Sequence, residues 1–111
     1  MATKEEVTGV LTTMKSKLED PANQQSFQTF TKTMQFTFPD LNTSFLFRIE
    51  NGAVKEFGES SVEKPDILVT ASSDTLVGIV NKKLSPMSAY TTGKIKVKGS
   101  MGDLMKLQKI M

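Results

Sequence analysis

Apolar residues recur at helical spacing near the start of the chain, separated mainly by lysine and threonine. These residues are Val7, Val10, Leu11, Met14 and Leu18. Thr3 and Glu6 before them have the spacing of a capping box, in which each side chain accepts a hydrogen bond from the backbone N–H of the other residue. The pattern therefore predicts a first helix. Asp20 and Pro21 then predict the N-cap and the first position of a second helix.

After the second helix, the pattern changes to an alternation of apolar and polar residues, which predicts three strands. Met34, Phe36 and Phe38 share one face of the first strand, and the second strand carries Phe45, Phe47 and Ile49 on one face. Asn51-Gly52 supplies the two positive-φ residues of a type I′ turn between the second and third strands. The three strands span about 33–38, 45–49 and 54–57. We expect them to form a meander.

A fourth strand and a third helix follow a polar loop. The continuous apolar run at 67–70 indicates a buried strand. Ser72 or Ser73 is then the expected N-cap of a helix. The apolar residues of this helix are Leu76, Ile79 and Val80.

The last part of the chain predicts two further helices with a strand between them. A short helix begins at Ser85-Pro86, and residues 94–98 alternate between lysine and β-branched residues. Ser100 and Asp103 then have the spacing of a second capping box. Methionine and leucine cover more than half of the circumference of this final helix, which makes it apolar on most sides.

The order of these elements predicts the fold class. Two helices, four strands, two helices, one strand and one helix indicate an α+β domain with a five-stranded sheet covered on one face by helices. The connection from the fourth strand through two helices to the fifth is long enough for a crossover. A length of 111 residues fits one domain over residues 1–111.

The composition argues against most catalytic and metal-binding chemistry. The chain contains no cysteine and no histidine, so thiolate and imidazole ligands and nucleophile–histidine pairs are excluded. The acidic residues are scattered, and Tyr90 is the single phenol. Arg48 and Glu50 share the strand face opposite Phe45 and Phe47 and predict a cross-strand ion pair. We therefore expect no catalytic residues, no metal site and no cofactor.

The charge gives weak indications of a partner. The net charge is +2, and Arg48 is the only arginine among 14 basic residues, which argues against nucleic acid. Gly99-Ser100-Met101-Gly102 has the form of a GXXG loop of RNA-binding proteins, but we interpret it as a turn and N-cap. Lys94, Lys96 and Lys98 form a stripe on the fifth strand. The stripe is either a solvated face that discourages edge pairing or a docking patch for anionic lipid headgroups.

No targeting or membrane-spanning segment is visible in the sequence. Residues 1–4 lead directly into an amphipathic pattern, and no apolar run approaches the roughly 20 residues needed to span a bilayer. We therefore expect a soluble, cytoplasmic protein.

Four segments of the second half carry a resemblance to a known family. They are Ser73-Asp74-Thr75-Leu76, Ser85-Pro86-Met87-Ser88-Ala89, Gly93-Lys94-Ile95-Lys96-Val97-Lys98-Gly99 and Met105-Lys106-Leu107. In this order and spacing, the chain resembles the sterol-carrier-protein type 2 family of small intracellular lipid carriers. The resemblance is dense over about 66–107, looser over 27–58 and absent in detail over the first helix. It implies a mostly antiparallel sheet with an apolar tunnel between the sheet and the helices.

The resemblance also implies which residues contact a lipid. The expected lipid-binding residues are Phe36, Phe38, Phe45, Phe47, Leu76, Ile79, Val80, Met87, Tyr90, Met101, Leu104 and Met105. We place Met101 and Met105 on the inward face of the last helix. For the phenylalanines and methionines, plain core packing is the alternative interpretation. The chain ends at Met111, without the C-terminal tail that helps close the tunnel in some family members or the peroxisomal tripeptide.

The expected function is non-catalytic binding and transfer of an apolar lipid, such as a fatty acyl chain, acyl-CoA, a phospholipid or a sterol-like lipid. The expected partners are this lipid, which stays bound on isolation, and transiently a membrane surface, but not nucleic acid. We expect a monomer or a weak dimer. The alternative is an accessory or scaffold domain that uses the same apolar groove to bind a protein or to dimerise.

Overall fold

A computed structural model of the chain describes residues 2–111. The helices are α1 (Lys4–Glu19), α2 (Gln24–Phe27), α3 (Ser73–Val80), α4 (Pro86–Thr91) and α5 (Met101–Ile110). The strands are β1 (Lys32–Phe38), β2 (Thr43–Glu50), β3 (Ala53–Glu59), β4 (Ile67–Ala71) and β5 (Ile95–Lys98). Short 3₁₀ turns at Pro21–Asn23 and Pro39–Leu41 precede α2 and β2. Between residues 2 and 111, no helix combines the length and apolar character that crossing a bilayer requires.

The five strands form one mixed sheet with the order β3-β2-β1-β4-β5. The predicted meander is confirmed, because β1 pairs with β2 and β2 pairs with β3, both antiparallel. β4 adds beside β1 as the single parallel pair among the described strands. β5 returns antiparallel to β4. The helical connection between β4 and β5 is therefore not a parallel crossover, and β5 lies at an edge of the sheet.

The helix starts follow the predicted capping chemistry. Thr3 and Glu6 form the capping box of α1, and Asp20 accepts a hydrogen bond from the Ala22 N–H at the next turn. Ser72, rather than Ser73, caps α3. Ser73 is fully buried instead, and its N–H and hydroxyl donate to the Asp40 carboxylate. This contact joins the turn between β1 and β2 to the start of α3.

The core lies between one face of the sheet and the helices. Alternate residues of β1 and β2 contribute four buried phenylalanines, Phe36, Phe38, Phe45 and Phe47. The rings of Phe36 and Phe47 meet edge to face, with centroids 5.7 Å apart, and so do those of Phe38 and Phe45, at 6.2 Å. Residues of α1, α3, α4 and α5 pack against this layer. The predicted arrangement of a sheet covered on one face by helices is confirmed.

One predicted ion pair is wrong. Arg48 and Glu50 share a strand, but Arg48 Nε lies 3.3 Å from Glu56 Oε2 on β3. The register explains the partner, because Arg48 is directly opposite Glu56 in the β2–β3 ladder. A bulge between Arg48 and Ile49 then shifts the pairing of the remaining residues.

Candidate functional site

An apolar groove opens between α4, β5 and α5. Its volume is about 190 Å³. It is lined by Pro86, Met87, Tyr90, Ile95, Val97, Met101, Leu104, Met105, Leu107, Gln108 and Met111. Ile95 and Leu107 are buried and form the floor of the groove. The only polar side-chain groups in this lining are the Tyr90 hydroxyl and the Gln108 amide.

Four large apolar side chains stand exposed along the edge of this groove. Met87 and Tyr90 of α4 are 53% and 45% exposed, and Met101 and Met105 of α5 are 72% and 64% exposed. We call these four residues the rim. Single exposed apolar residues are ordinary on protein surfaces, whereas a contiguous group around a concave site indicates a binding surface. Methionine suits such a site because its unbranched, polarizable side chain adapts to partners of different shape.

The start of α5 is held by a carboxylate that has two functions. Asp103 completes the predicted capping box with Ser100. Its oxygens also lie 2.7 and 2.8 Å from Lys32 Nζ at the start of β1. Burial on its own would raise the pKa of Asp103, but the hydrogen bonds from Lys32 and Ser100 outweigh burial and hold this pKa below its ordinary value. The ion pair therefore ties α5 to the sheet at one end of the groove.

The other end of α5 is held by apolar burial and by lysine contacts. Ile110 and Met111 are buried among core residues. Lys109 Nζ donates to Ser26 Oγ at 2.6 Å, and Lys17 Nζ lies 3.5 Å from the Met111 carbonyl oxygen. With the ion pair of Asp103, these contacts hold α5 at both ends, and Met101 and Met105 line the groove.

A second depression adjoins the groove. It has a volume of about 550 Å³ and shares Pro86, Met87, Gln108 and Met111 with the groove. Lys82 and Lys83 lie in its wall. Lys82 has a left-handed backbone conformation, with φ of 65°. An apolar groove thus continues into a depression that carries positive charge.

The structure brings together five of the twelve predicted lipid-binding residues. Met87, Tyr90, Met101, Leu104 and Met105 line the groove. The other seven are buried in the core and do not line the groove: Phe36, Phe38, Phe45, Phe47, Leu76, Ile79 and Val80. Ile79 does border the lysine-bearing depression. The assignment of all twelve to lipid contact stays a prediction.

The orientation of α5 differs from the expectation for its methionines. Met101 and Met105 are mostly exposed, and the buried stripe of α5 consists of Asp103, Leu107 and Ile110. On that buried side, Asp103 pairs with Lys32 at the start of β1. The methionines therefore lie beside the inward face, at the groove edge.

The structure adds groove residues that the sequence analysis did not name. Ile95 and Val97 line the groove from β5, and Leu107 and Met111 line it from α5. The alternation of Ile95 and Val97 with lysines indicated that these two residues point inward. It did not indicate that they line a groove rather than the packed core. The space enclosed beneath α5, between Leu18, Phe30 and Leu107 among others, has no room for a water molecule. The site is thus an open groove over a packed interior, and the expected tunnel stays a prediction.

The groove supports binding rather than bond-making chemistry. No aspartate, glutamate or lysine lines it, and residues 2–111 contain no cluster of acidic residues suited to a metal ion. The acids with lowered pKa values belong to structural contacts. The hydrogen bond from Lys15 lowers the pKa of Glu19. At Asp40, burial alone would raise the pKa, but the hydrogen bonds from Ser73 outweigh burial and hold the pKa below its ordinary value.

This chain is similar to a segment of a longer protein and to proteins of known structure. The hydroxysteroid dehydrogenase-like protein 2 of Bos taurus is 36% identical over 72 residues, which are 65% of this chain and 17% of that protein. The solution structure of sterol carrier protein domain 2 of Helicoverpa armigera is 24% identical, with a TM-score of 0.74 over 98% of this chain and 89% of that chain. A palmitated sterol-carrier-protein-2-like protein 2 of Aedes aegypti is 15% identical, with a TM-score of 0.71 over 98% of this chain and 94% of that one.

These structural neighbours share the mixed five-stranded α+β fold at low sequence identity. The chain spans only a small part of the hydroxysteroid dehydrogenase-like relative that it matches. A family model described as the SCP-2 sterol transfer family matches residues 11–111. That match takes in the sheet, most of α1 and every element of the groove, so this chain belongs to the SCP-2 sterol transfer family.

Proposed function

We propose that this chain is a non-catalytic, cytoplasmic lipid carrier that acts as a single domain over residues 1–111. Its mechanism is non-covalent. The apolar part of a lipid enters the groove between α4, β5 and α5, displaces water from the methionine and leucine side chains, and leaves at a membrane. Membership of the SCP-2 sterol transfer family supports this proposal. Fatty acyl chains, acyl-CoA, phospholipids and sterol-like lipids are all candidate ligands.

The observation that carries the proposal is the exposed rim around an almost wholly apolar groove. Each methylene group moved from water into such a site contributes about 0.8 kcal/mol to binding. The Tyr90 hydroxyl and the Gln108 amide are too few to select a polar ligand by hydrogen bonds. The driving force is therefore apolar burial, and specificity comes from the shape of the groove.

The expected result of purification is a protein that retains lipid. Covering the exposed rim side chains with an acyl chain lowers the free energy of the complex, because apolar surface is removed from water. A ligand from the host cell should therefore remain in the groove. Mass spectrometry of an organic extract identifies that ligand. Native mass spectrometry of the intact protein gives its stoichiometry, for which we expect one lipid per chain.

Thermal unfolding of the delipidated protein tests the proposal directly. A ligand present at 100 times its Kd stabilises the folded state by about 2.7 kcal/mol, which for a domain of this size raises Tm by several degrees. We expect dodecanol or dodecanoate to produce this increase. Acetate is the matched control, because it carries the same carboxylate as dodecanoate without the apolar chain, and it should leave Tm unchanged. Equal Tm values with and without every long-chain ligand would contradict the proposal.

A scaffold domain that uses the groove for a protein contact is the second candidate. It is supported by the curated relative, in which the matching segment is 17% of a much longer protein. Sedimentation velocity of the delipidated chain separates the two candidates. A concentration-dependent dimer that long-chain lipid fails to dissociate, together with an unchanged Tm, favours the scaffold.

A further inference from the structure

The charges of this chain are divided between two parts of the sequence. Residues 81–111 contain seven lysines and one acidic residue, Asp103, which gives a side-chain charge of +6. Residues 1–80 contain seven basic and eleven acidic residues, which gives −4. Asp103 is buried and paired with Lys32. The positive segment therefore presents almost no free negative charge.

The positive segment is the same segment that builds the groove. Lys82 and Lys83 lie in the depression that continues from it. Lys94 is exposed in the turn between α4 and β5, where its N–H donates to the Ala89 carbonyl at 2.9 Å. On β5, Lys96 and Lys98 are exposed and alternate with the groove residues Ile95 and Val97, so they point to the other face of the sheet. The exposed lysines nearest the groove are therefore Lys82 and Lys83 in the adjoining depression and Lys94 in the turn before β5.

The first helix lacks this combination. Two of its three lysines are paired with acids, since Lys4 Nζ lies 2.8 Å from Glu59 Oε2 and Lys15 Nζ lies 2.9 Å from Glu19 Oε1. The third, Lys17, is half-buried beside the Met111 carbonyl. The large apolar residues of α1 are buried in the core. A negatively charged bilayer attracts lysines, and its interface accepts methionine and tyrosine. The complementary face is therefore the groove mouth rather than the first helix.

From this arrangement we propose that the groove mouth docks on bilayers that contain anionic phospholipid. The docking face consists of the rim together with Lys82, Lys83 and Lys94. The rim enters the headgroup region while the lysines contact phosphate and carboxylate groups. This inference rests on the proposed function, because docking in this orientation brings the groove against the membrane that supplies or receives the lipid.

The fluorescence of Tyr90 can be used to measure this orientation. Tyr90 is the single tyrosine of the chain and no tryptophan is present, so tyrosine fluorescence comes from the rim alone. Vesicles of one third phosphatidylserine and two thirds phosphatidylcholine, with bromine atoms in the acyl chains, should quench this emission. Quenching should weaken as salt is added, because salt screens the lysines. Vesicles of brominated phosphatidylcholine alone should give much less quenching.

Two charge-matched variants identify the docking face. The triple substitution Lys82→Gln, Lys83→Gln and Lys94→Gln should weaken binding to the anionic vesicles by about ten- to a hundredfold at low salt. The control, Lys4→Gln, Lys15→Gln and Lys55→Gln, removes the same charge elsewhere and should change binding less than about threefold. Equal weakening by both variants would mean that net charge alone governs binding, and would overturn the proposal. Binding without quenching of Tyr90 would also overturn it, because another face would then meet the membrane.

A parallel measurement separates this inference from lipid carriage. Binding of dodecanol to the delipidated protein is measured without vesicles, for the wild type and both variants. Dodecanol binding by a wild type that ignores anionic vesicles overturns the docking face and leaves the carrier function intact. Quenching by vesicles without any dodecanol binding supports the docking face and contradicts the carrier. A wild-type dimer that ignores vesicles identifies the rim as an interface between copies and overturns the docking face.

Discussion

Met105 is a predicted lipid-binding residue that also lines the groove in the structure. It is 64% exposed and lines the groove, so a change there alters binding without disturbing the core. Met105→Lys places a charge beside the bound chain and should raise the Kd of dodecanol at least about tenfold, equivalent to about 1.4 kcal/mol. Titration calorimetry measures this change. Circular dichroism should show the native fold and a Tm within a few degrees of the wild type.

Met105→Leu is the control for that substitution. Leucine preserves the apolar surface at nearly the same volume, so the Kd should change less than about threefold. A folded Met105→Lys protein that binds dodecanol as tightly as Met105→Leu would contradict the placement of the ligand against α5. The same pair of substitutions at Phe36 is uninformative, since Phe36 is fully buried and a lysine there unfolds the core.

Asp103 links stability to pH. Its pKa is lower in the folded protein than its ordinary value of about 3.9, so the folded state favours the charged carboxylate. The stabilisation is therefore complete above about pH 4 and is lost as pH falls through the folded pKa. Asp103→Asn should lower the free energy of unfolding at pH 7 by about 1–2 kcal/mol. Urea denaturation should show that the difference from wild type shrinks in acid.

Glu63→Gln is the matched substitution for this test. Glu63 is an exposed acidic residue in the loop between β3 and β4, and its loss should cost less than about 0.5 kcal/mol at every pH. A difference between Asp103→Asn and wild type that persists undiminished at pH 3 would show that packing, rather than charge, holds Asp103.

At the level of elements, a comparison of Gly52 and Gly93 distinguishes the stability cost of backbone strain from that of steric contact. Gly52 in the β2–β3 turn and Gly93 before β5 have nearly the same φ, 79° and 77°. A Cβ atom at Gly52 would lie 2.5 Å from the Phe27 carbonyl oxygen, whereas one at Gly93 would meet nothing within 4 Å. Gly93→Ala should cost about 1 kcal/mol from strain alone. Gly52→Ala should cost about 2 kcal/mol or more, because the turn must move away from α2.

The measurement for this pair is the free energy of unfolding of both variants under the same conditions. Equal losses would mean that the turn relaxes freely, and that the hydrogen bond from the Gly52 N–H to the Phe30 carbonyl, 3.1 Å long, contributes little to its position. A larger loss at Gly52 shows that the hairpin and α2 are packed as one unit.

Most individual elements were predictable because their signals are local. Capping boxes at Thr3 and Ser100 and the Asn51-Gly52 turn act within a few residues, and the structure confirms each of them. The partner of Arg48 was not predictable in the same way. It depends on the register of β2 against β3 and on a bulge, which are set by packing between strands.

At the level of the whole molecule, the groove was only partly predictable. The methionines of α4 and α5 were identified because they cluster in the sequence, and five of the twelve expected residues line the groove. The phenylalanines of the sheet were included because a core and a tunnel both require large apolar residues on one strand face. The pattern of a strand does not reveal whether the space above it is filled. Here α1, α3 and α5 fill that space, and the groove opens where α4 and α5 diverge over β5.

The volume of the groove predicts how affinity depends on ligand length. Its 190 Å³ correspond to about six water-sized groups of roughly 30 Å³ each, below the range of about 300–1,000 Å³ that is common for ligand sites. For saturated alcohols of increasing length, Kd should fall about fourfold per methylene while each new group is buried in the groove. Beyond about six carbons, the chain extends into the adjoining depression or along the exposed rim, where it is only partly buried, so each added methylene should gain less than that. Titration calorimetry over this series measures the step per methylene. Constant fourfold steps up to sixteen carbons would contradict this prediction, because they would require a longer preformed apolar site than the structure contains.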